Sequence, residues 1–206
     1  MRRLLVLGFL LGFLLALPAA AQDPWGTLEG VRRSLAAAGP TGANFVQVYV
    51  PSGFTSGERE SGQLAFALPD CLRWDYLDPF PKSFLLCGGV AHQWNPEDGT
   101  GQRFEVDRKN EPGLDLLLLS VADLRGRYRA ASRPGEGGVA VTLTPIRPLE
   151  QLAEATFVVD PAKQRIVELS YRDREGNRTR FEIGGYRTLP RRGQFTPPKN
   201  VRWEEP

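Results

Sequence analysis

The sequence SGQLAFALPDCLRWDY, residues 61–76, decides the fold because it predicts two β-strands joined by a corner at Pro69. Along each strand, bulky apolar side chains alternate with small or polar ones, which is the pattern of a strand that buries one face. The bulky residues that share this face are Leu64, Phe66, Leu68, Leu72, Trp74 and Tyr76. The stretch therefore predicts an antiparallel sheet with a single covered side.

Strand patterns continue on both sides of this stretch. The dipeptide Gly88-Gly89 separates two of the strands and favours a tight hairpin. Most connections are short and rich in turn-forming residues, which favours an antiparallel meander. The predicted strands cover residues 45–50, 62–68, 72–76, 84–87, 90–94, 102–106, 139–144, 155–160, 165–171 and 179–183.

Two segments have helical periodicity instead. The first covers residues 24–38 and is stopped by a Gly-Pro pair. The second covers residues 114–128 and places Leu117, Val121 and Leu124 on one stripe. We therefore predict an α+β fold, in which a curled antiparallel sheet of about nine to eleven strands forms an incomplete β-barrel and helices cover its apolar interior.

The N-terminus predicts export. Two arginines precede an apolar run over residues 4–17, and small residues follow the run. This order is typical of a secretory signal, and the run is short for a membrane span, which needs about 20 residues. We expect residues 1–21 to be a signal cleaved near Ala21, and residues 22–206 to form one domain. A retained membrane anchor is the alternative.

The net charge of the chain disfavours nucleic acid and anionic membranes as partners. Two of the 26 basic residues belong to the predicted signal, so 24 basic residues then balance 24 acidic ones. A chain without net charge has no strong field to attract nucleic acid or an anionic membrane. We therefore expect no nucleic-acid partner.

The two cysteines, Cys71 and Cys87, predict a disulfide. Both lie on predicted strands, and Pro79 is midway between them, so a hairpin centred there would bring them face to face. A disulfide that closes a loop of about 15 residues contributes about 3 kcal/mol in an exported protein. A redox-active pair is the alternative, although the CxxC spacing of such pairs is absent.

Residues with catalytic chemistry are scarce. His92 is the single histidine, so a His-rich metal site is excluded and a Ser-His-Asp triad would have one candidate base. No nucleophile elbow, phosphate-binding loop or dinucleotide fingerprint occurs in the sequence. We predict a protein that is not an enzyme and uses no cofactor or metal. The enzymatic alternatives are a thiol enzyme using the two cysteines and a hydrolase using His92.

Phrases spread along the chain resemble a known family when they are taken together. They are Asn44-Phe45-Val46-Gln47, residues 62–76, Asp78-Pro79, Trp94-Asn95-Pro96, residues 173–179 and the terminal Phe195-Thr196-Pro197-Pro198-Lys199-Asn200-Val201. In this order, and behind an export signal, they resemble the periplasmic outer-membrane lipoprotein carrier family, LolA. The likeness spans most of residues 22–206.

The resemblance implies a fold and a function. The family's fold is an incomplete antiparallel β-barrel that helices close over a hydrophobic cavity. Its members take acylated lipoproteins released by an ATP-driven complex of the inner membrane and pass them to an acceptor in the outer membrane. The resemblance thus implies a monomeric periplasmic carrier with acylated lipoprotein cargo and these two partners. A periplasmic module that senses lipids or lipoproteins is the alternative.

One position departs from the family's pattern. Family members often have a basic residue immediately before the Pro that ends the second strand, where it helps to hold the helices closed. Leu68 occupies this position, and alternation turns Arg73 away from the apolar face. Either the helices close by a different contact, or the chain carries a different cargo.

Alternation and the resemblance together predict a lipid-binding surface. An acyl chain of about 16 carbons left in water costs on the order of 12 kcal/mol, so it needs a continuous concave lining. An ordinary filled core is the alternative. The predicted lining consists of Leu64, Phe66, Leu72, Trp74, Tyr76, Leu86 and Trp94 on the sheet and of Leu117, Val121 and Leu124 on the second helix.

Overall fold

A sheet that curls around its apolar face organises the protein. The computed structural model describes residues 23–106, 116, 118, 120–190 and 193–204, and these residues form twelve strands and two helices. The helices are α1 (Pro24–Ala38) and α2 (Val121–Arg127). The strands are β1 (Thr41–Val50), β2 (Glu58–Ala67), β3 (Cys71–Asp78), β4 (Lys82–Cys87), β5 (Val90–Asn95), β6 (Thr100–Glu105), β7 (Tyr128–Gly135), β8 (Gly138–Pro145), β9 (Glu154–Asp160), β10 (Arg165–Arg172), β11 (Arg178–Thr188) and β12 (Arg202–Glu204).

The strands form one sheet that does not close. Their order is β12-β6-β5-β4-β3-β2-β1-β11-β10-β9-β8-β7, and only β12 pairs in parallel, with β6. Strand twist makes a sheet of this width curl, and α1 and α2 cover one of its faces. We call the covered face the inner face and the opposite one the outer face. The predicted α+β incomplete barrel is confirmed.

Helix α1 forms where the sequence predicts it. The side chain of Asp23 accepts a hydrogen bond from the backbone N–H of Trp25 at 3.0 Å, and Pro24 occupies the first turn. Gly39 ends the helix with a φ of 70°, a conformation that costs glycine least. The buried stripe that faces the sheet is Leu28, Val31 and Leu35.

Helix α2 is shorter than the sequence predicts. The periodicity covers residues 114–128, whereas α2 begins only after Ser120 and is followed at once by β7. The hydroxyl of Ser120 explains this start, because it accepts a hydrogen bond from the backbone N–H of Asp123 at 3.1 Å and caps the helix. Before the cap, Leu116 and Leu118 lie in turns, and the other residues of the predicted helix lie outside the described ranges. Within those ranges, neither α1 nor α2 has the length and apolar character that crossing a membrane requires.

The sequence pattern does not predict strands β7 and β12. Because β7 contains Pro134 and Gly135, the pattern assigns its end to a loop at 133–138. Proline is tolerated there because β7 is an edge strand, where one row of backbone N–H groups needs no partner strand. Strand β12 is three residues long and pairs with the distant β6, a contact that no local pattern reveals.

The register of β2, β3 and β4 places the apolar residues of the quoted stretch on the inner face. Leu64 lies opposite Trp74, and Leu72 lies between Phe66 and Leu86 on the neighbouring strands. Cross-strand partners point to the same side of a sheet, so these five residues form a continuous apolar surface. The alternation that predicts the sheet thus also predicts which face α1 covers.

Candidate functional site

A partly open apolar cavity lies between the helices and the inner face. The space open to water-sized molecules measures about 40 Å³, which is room for a few waters. An acyl chain of about 16 carbons would therefore need the cavity to widen. The described residues that line it are Leu28, Val31, Arg32, Leu35, Leu64, Phe66, Leu68, Leu116, Leu124, Phe157, Ile166, Ile183 and Tyr186.

Most residues of the predicted lining belong to the inner apolar cluster. Those that border the cavity are Leu64, Phe66 and Leu124. Those buried in the same cluster beside it are Leu72, Leu86 and Val121. Two lie half-buried at the margin of the cluster, Trp74 and Tyr76. Leu117 lies outside the described residues.

Trp94 does not belong to this surface, because it lies on the outer face. The two-residue turn between β4 and β5 pairs Leu86 with Ala91 and Ser83 with Trp94, so Leu86 and Trp94 face opposite sides. Trp94 packs in a separate cluster with Leu85. The prediction that Trp94 lines the inner apolar surface is therefore wrong, although the length of the turn contained the necessary information.

The prediction also omits ten of the thirteen described residues that line the cavity. Helix α1 supplies Leu28, Val31 and Leu35, whose helical spacing is visible in the sequence. Strands β9 to β11 supply further residues that alternation marks as apolar-facing, namely Phe157, Ile166 and Ile183. Neither signal says that α1 lies over these strands, because that contact joins distant parts of the chain. The missing information is therefore tertiary, not local.

Aromatic rings extend the apolar surface beyond the cavity. The ring of Phe45 lies between those of Tyr76 and Phe181, with centroids 5.0 Å and 5.8 Å away. Trp74 and Tyr171 each approach Phe181 with centroids at 6.4 Å. Since Trp74, Tyr76 and Tyr171 are only half-buried, the rings form a partly open aromatic track along the inner face. Such a track can contact an apolar chain that is too long for the cavity.

A polar network ends this aromatic track. The hydroxyl of Tyr76 donates to Oε1 of Gln47 at 2.6 Å, and Nε2 of Gln47 donates to Oε2 of Glu60 at 3.3 Å. Nζ of Lys82 lies 2.6 Å from Oε1 of Glu60 and 4.4 Å from the centre of the Tyr76 ring. Burial first, and the charge of Glu60 second, raise the pKa of Tyr76, so its hydroxyl stays a donor. The track is thus apolar along its length and polar where it ends.

Arg32 connects α1 to the turn that precedes α2, beside the cavity. From α1, its Nη2 donates to the backbone oxygen of Leu118 at 2.8 Å. Burial is the main cause that lowers the pKa of Arg32. A second contact joins the helices, since the guanidinium of Arg125 on α2 lies 5.6 Å from the centre of the Trp25 ring. Leu68, just after β2, borders the cavity and carries no charge, so the cations that contact the helical region come from α1 and α2.

Cys71 and Cys87 are joined by a disulfide, as the sequence predicts. They are direct partners in the register of β3 and β4, and their Cα atoms are 4.2 Å apart. The hairpin that they close is centred on Pro79, as their spacing requires. The pair covalently links two neighbouring strands of the sheet.

His92 lies on the outer face beside the C-terminal segment. Its ring packs edge-on against Trp203 with centroids 4.9 Å apart, and its Nδ1 is buried without a hydrogen-bond partner among the described residues. Burial first, and nearby Arg103 second, lower the pKa of His92. Across the described ranges, no group of three or more His, Cys, Asp and Glu side chains could hold a metal ion.

Comparison with known proteins identifies a family. The family model described as outer membrane lipoprotein carrier protein LolA matches residues 40–197. An outer-membrane lipoprotein carrier protein from Xanthomonas oryzae pv. oryzae (strain MAFF 311018) is 24% identical to this chain over 138 residues. The match covers 65% of this chain and 64% of that relative, which is less than two thirds of the relative's length.

Solved structures resemble the fold at low sequence identity. An uncharacterised conserved protein from Thermus thermophilus has a TM-score of 0.58 and 13% identity, with 90% of this chain and 100% of that chain covered. A LolA superfamily protein from Nitrosomonas europaea has a TM-score of 0.47 and 11% identity, with 86% of this chain and 99% of that chain covered. At such identity the first likeness shows the fold alone, and the second adds no further argument.

Proposed function

This chain belongs to the outer membrane lipoprotein carrier protein LolA family, and we propose that it is a periplasmic carrier that binds the acyl chains of lipoproteins. In this proposal residues 1–21 direct export and residues 22–206 form the carrier domain. The protein receives its cargo from an ATP-driven complex of the inner membrane and delivers it to an acceptor in the outer membrane. Neither step needs catalysis or a cofactor.

The observation that carries this proposal is the apolar cavity that lies between the two helices and the inner face. A cavity of about 40 Å³ must widen before it admits an acyl chain. Removing about 16 carbons from water is worth on the order of 12 kcal/mol. A hydrogen bond from a charged group, such as that from Arg32 to Leu118, is worth about 1.5–3 kcal/mol. The burial of cargo would outweigh this bond, and the rest of the gain would offset the apolar contacts that α1 loses when it moves away from the inner face.

The inner face offers a route for a chain that outgrows the cavity. The predicted lining residues Leu64, Phe66 and Leu124 would hold one end of the acyl chain, and the aromatic track at Trp74 and Tyr76 would hold the rest. The network that ends the track supplies polar partners for the ester and peptide groups of the cargo. This division matches the chemistry of a lipoprotein, which has an apolar anchor and a polar body.

Mass spectrometry of co-purified material tests the proposal. The protein is purified from a host that has an outer membrane, and lipidated peptides are expected in its organic extract. Leu28→Phe enlarges a side chain that borders the cavity, so this variant is expected to lose most of the bound lipid. The matched control is Leu85→Phe, which makes the same change in the outer cluster and is expected to retain the lipid.

Two results would contradict the carrier proposal. The absence of lipid from the unmodified protein is one, and equal lipid loss in both variants is the other, since it would indicate general destabilisation. Free lipid without lipoprotein would instead favour the sensing module or a general lipid carrier.

Hydrogen exchange tests whether the helices can move away from the inner face. Arg32→Gln removes the charge but keeps a polar side chain, and it is expected to speed exchange in α2 while leaving β9 and β10 unchanged. The control is Arg33→Gln, which makes the same change one position along α1. In the unmodified protein, α2 protected as strongly as the central strands would count against a cover that opens.

A further inference from the structure

Among the residues that the structure describes, the large exposed hydrophobic side chains are concentrated at one end of the strands. This end of the sheet, which we call the loop rim, consists of residues 77–78 at the end of β3 and of the connections at residues 51–57, 79–81, 96–99, 146–153 and 173–177. All four large hydrophobic side chains exposed in the described ranges are on it, namely Phe54 at 64%, Leu77 at 56%, Phe80 at 74% and Ile146 at 46%. Single exposed hydrophobic residues are common on protein surfaces. The confinement of these four residues to one of the two ends of the sheet indicates a functional surface.

The Phe54 loop is held in place by hydrogen bonds. The backbone N–H of Phe54 donates to the oxygen of Pro51 at 3.1 Å, and the backbone N–H of Ser52 donates to Oδ1 of Asn177 at 2.9 Å. A guanidinium nitrogen of Arg178 reaches the oxygen of Phe54 at 3.4 Å. The loop is thus held against the neighbouring turn by hydrogen bonds. The exposed ring of Phe54 is therefore carried by an ordered loop.

The Phe80 turn is constrained in another way. Phe80 stands between Pro79 and Pro81, whose rings fix two backbone φ angles. The turn joins β3 and β4, which the disulfide also links. Both phenylalanines are therefore presented by pre-ordered turns, and contact with a partner would cost little conformational entropy.

The spacing and charge of these turns favour a lipid bilayer over a protein as the partner. The two turns cap neighbouring strand pairs, so strand spacing puts them about 10 Å apart, as separate tips and not as one patch. A bilayer surface accepts separate tips at any spacing, whereas a protein partner needs a contiguous complementary patch. Residues 51–57 contain no charge, and Asp78 is the one charged residue in the segment 77–81, whereas the other three connections of the rim together carry five acidic and two basic residues. The phenylalanine tips thus lack the basic residues that would attract anionic lipid. The attraction is therefore apolar and not electrostatic.

We propose that the loop rim docks on the surface of a lipid bilayer, with Phe54 and Phe80 inserted among the headgroups and Leu77 beside them. The aromatic track and its polar end lie along the same strand ends, since Lys82 directly follows the 77–81 turn. Docking at the rim would hold this end of the inner face against the membrane. The proposal stands independently of lipoprotein transport, because it concerns contact with lipid surfaces alone.

Vesicle flotation tests this contact. The purified protein, as its host exports it, is mixed with protein-free vesicles of phosphatidylethanolamine and a minority of phosphatidylglycerol. The unmodified protein is expected to float with the vesicles. Phe54→Ser and Phe80→Ser are each expected to weaken binding about tenfold, and the double variant about a hundredfold. Val90→Ser removes an apolar side chain at the opposite rim and is expected to change nothing. Circular dichroism checks that each variant is folded.

Other outcomes of this experiment overturn the proposal. They are an unmodified protein that does not float, variants that float equally well, and binding that raised salt abolishes, since apolar insertion is not screened. A second measurement replaces Phe80 by Trp, whose emission is expected to shift to the blue with vesicles beyond any shift of the unmodified protein. An unshifted spectrum would also count against insertion. Failure of flotation would leave the lipid content of the purified protein untouched, so the two proposals fail separately.

Discussion

The two faces of the sheet bury apolar residues in different ways. On the inner face, the cluster around Phe157 and Leu143 consists of aliphatic and aromatic side chains and contains a cavity. On the outer face, a small cluster around Leu85, Trp94 and Val201 lies beneath the C-terminal segment. Directional contacts hold the outer cluster, whereas shape and apolar area alone hold most of the inner one.

Arg73 is the centre of the outer arrangement. Its Nε lies 2.8 Å from Oδ2 of Asp75, and its Nη1 donates to the backbone oxygen of Gln194 at 3.1 Å. Its guanidinium also lies 5.2 Å from the centre of the Trp94 ring, and Trp94 meets Trp203 edge-on at 5.9 Å. Fixed partners of this kind restrict movement. One sheet thus holds its outer side by directional contacts and most of its inner side by apolar packing.

The largest expected effect comes from the matched pair Leu72→Ala and Leu85→Ala. Both residues are 1% exposed, and they lie on adjacent strands but opposite faces. Each change is expected to lower the free energy of unfolding by about 2–5 kcal/mol. The cost should be larger for Leu85, because its fixed surroundings collapse less into the space left behind. Urea denaturation measures the free energy of unfolding of both variants. A larger loss for Leu72→Ala would contradict the expectation that the inner face collapses more readily into a space left by a smaller side chain.

Removal of the disulfide is expected to have the next largest effect on stability, and it acts on the outer face. Cys71→Ser with Cys87→Ser is expected to lower the free energy of unfolding by about 3 kcal/mol, because the unfolded chain gains the freedom of a loop of about 15 residues. Lipid content measured by mass spectrometry should stay the same. Loss of binding with the fold intact would mean that the cysteines have a role beyond stability, as the thiol-enzyme alternative requires.

Arg73→Met tests the contact between the outer face and the C-terminal segment. The variant keeps an apolar stem over Trp94 but loses the bonds to Asp75 and Gln194, with an expected cost of about 1–2 kcal/mol. Limited proteolysis is expected to cleave residues 193–204 sooner. Arg180→Met is the control, since Arg180 pairs with carboxylates but does not touch this segment. Equal cleavage rates in both variants would show that the bonds of Arg73 do not hold the C-terminal segment on the outer face.

Much of the fold was predictable because its signals are local. The alternation over 61–76 predicts both the sheet and its covered face, and the helix at 24–38 begins and ends where its cap residues indicate. The errors occur where context outweighs pattern. Ser120 caps α2 inside an apolar run, and Pro134 is tolerated in β7 because that strand is at the edge.

The candidate site was less predictable than the fold. Alternation identifies inner-facing residues such as Leu64, but it cannot say which of them border a cavity. The closing contact of Arg32 joins α1 to a segment far away in the chain, and no spacing rule connects the two. Trp94 was misplaced for a different reason, because the parity of the two-residue turn assigns it to the outer face. That error lies in the interpretation and not in a lack of information.

The smallest expected effect concerns His92, and it tests whether the outer face is closed to water. The folded-state pKa of His92 lies below its ordinary value of about 6.5, because burial disfavours the charged ring. The unfolded chain therefore binds more protons, so stability is complete above about pH 6.5 and falls as the pH drops towards the folded-state pKa. His92→Gln cannot titrate and is expected to flatten the stability profile from about pH 6.5 downward. The pKa of Asp160 is lowered, first by the backbone N–H of Lys163, so its contribution to stability is lost only at a pH well below that at which the unfolded chain's His92 becomes charged. Identical slopes for the variant and the unmodified protein would mean that water reaches the ring, and that the C-terminal segment covers the outer face less tightly than Trp203 implies.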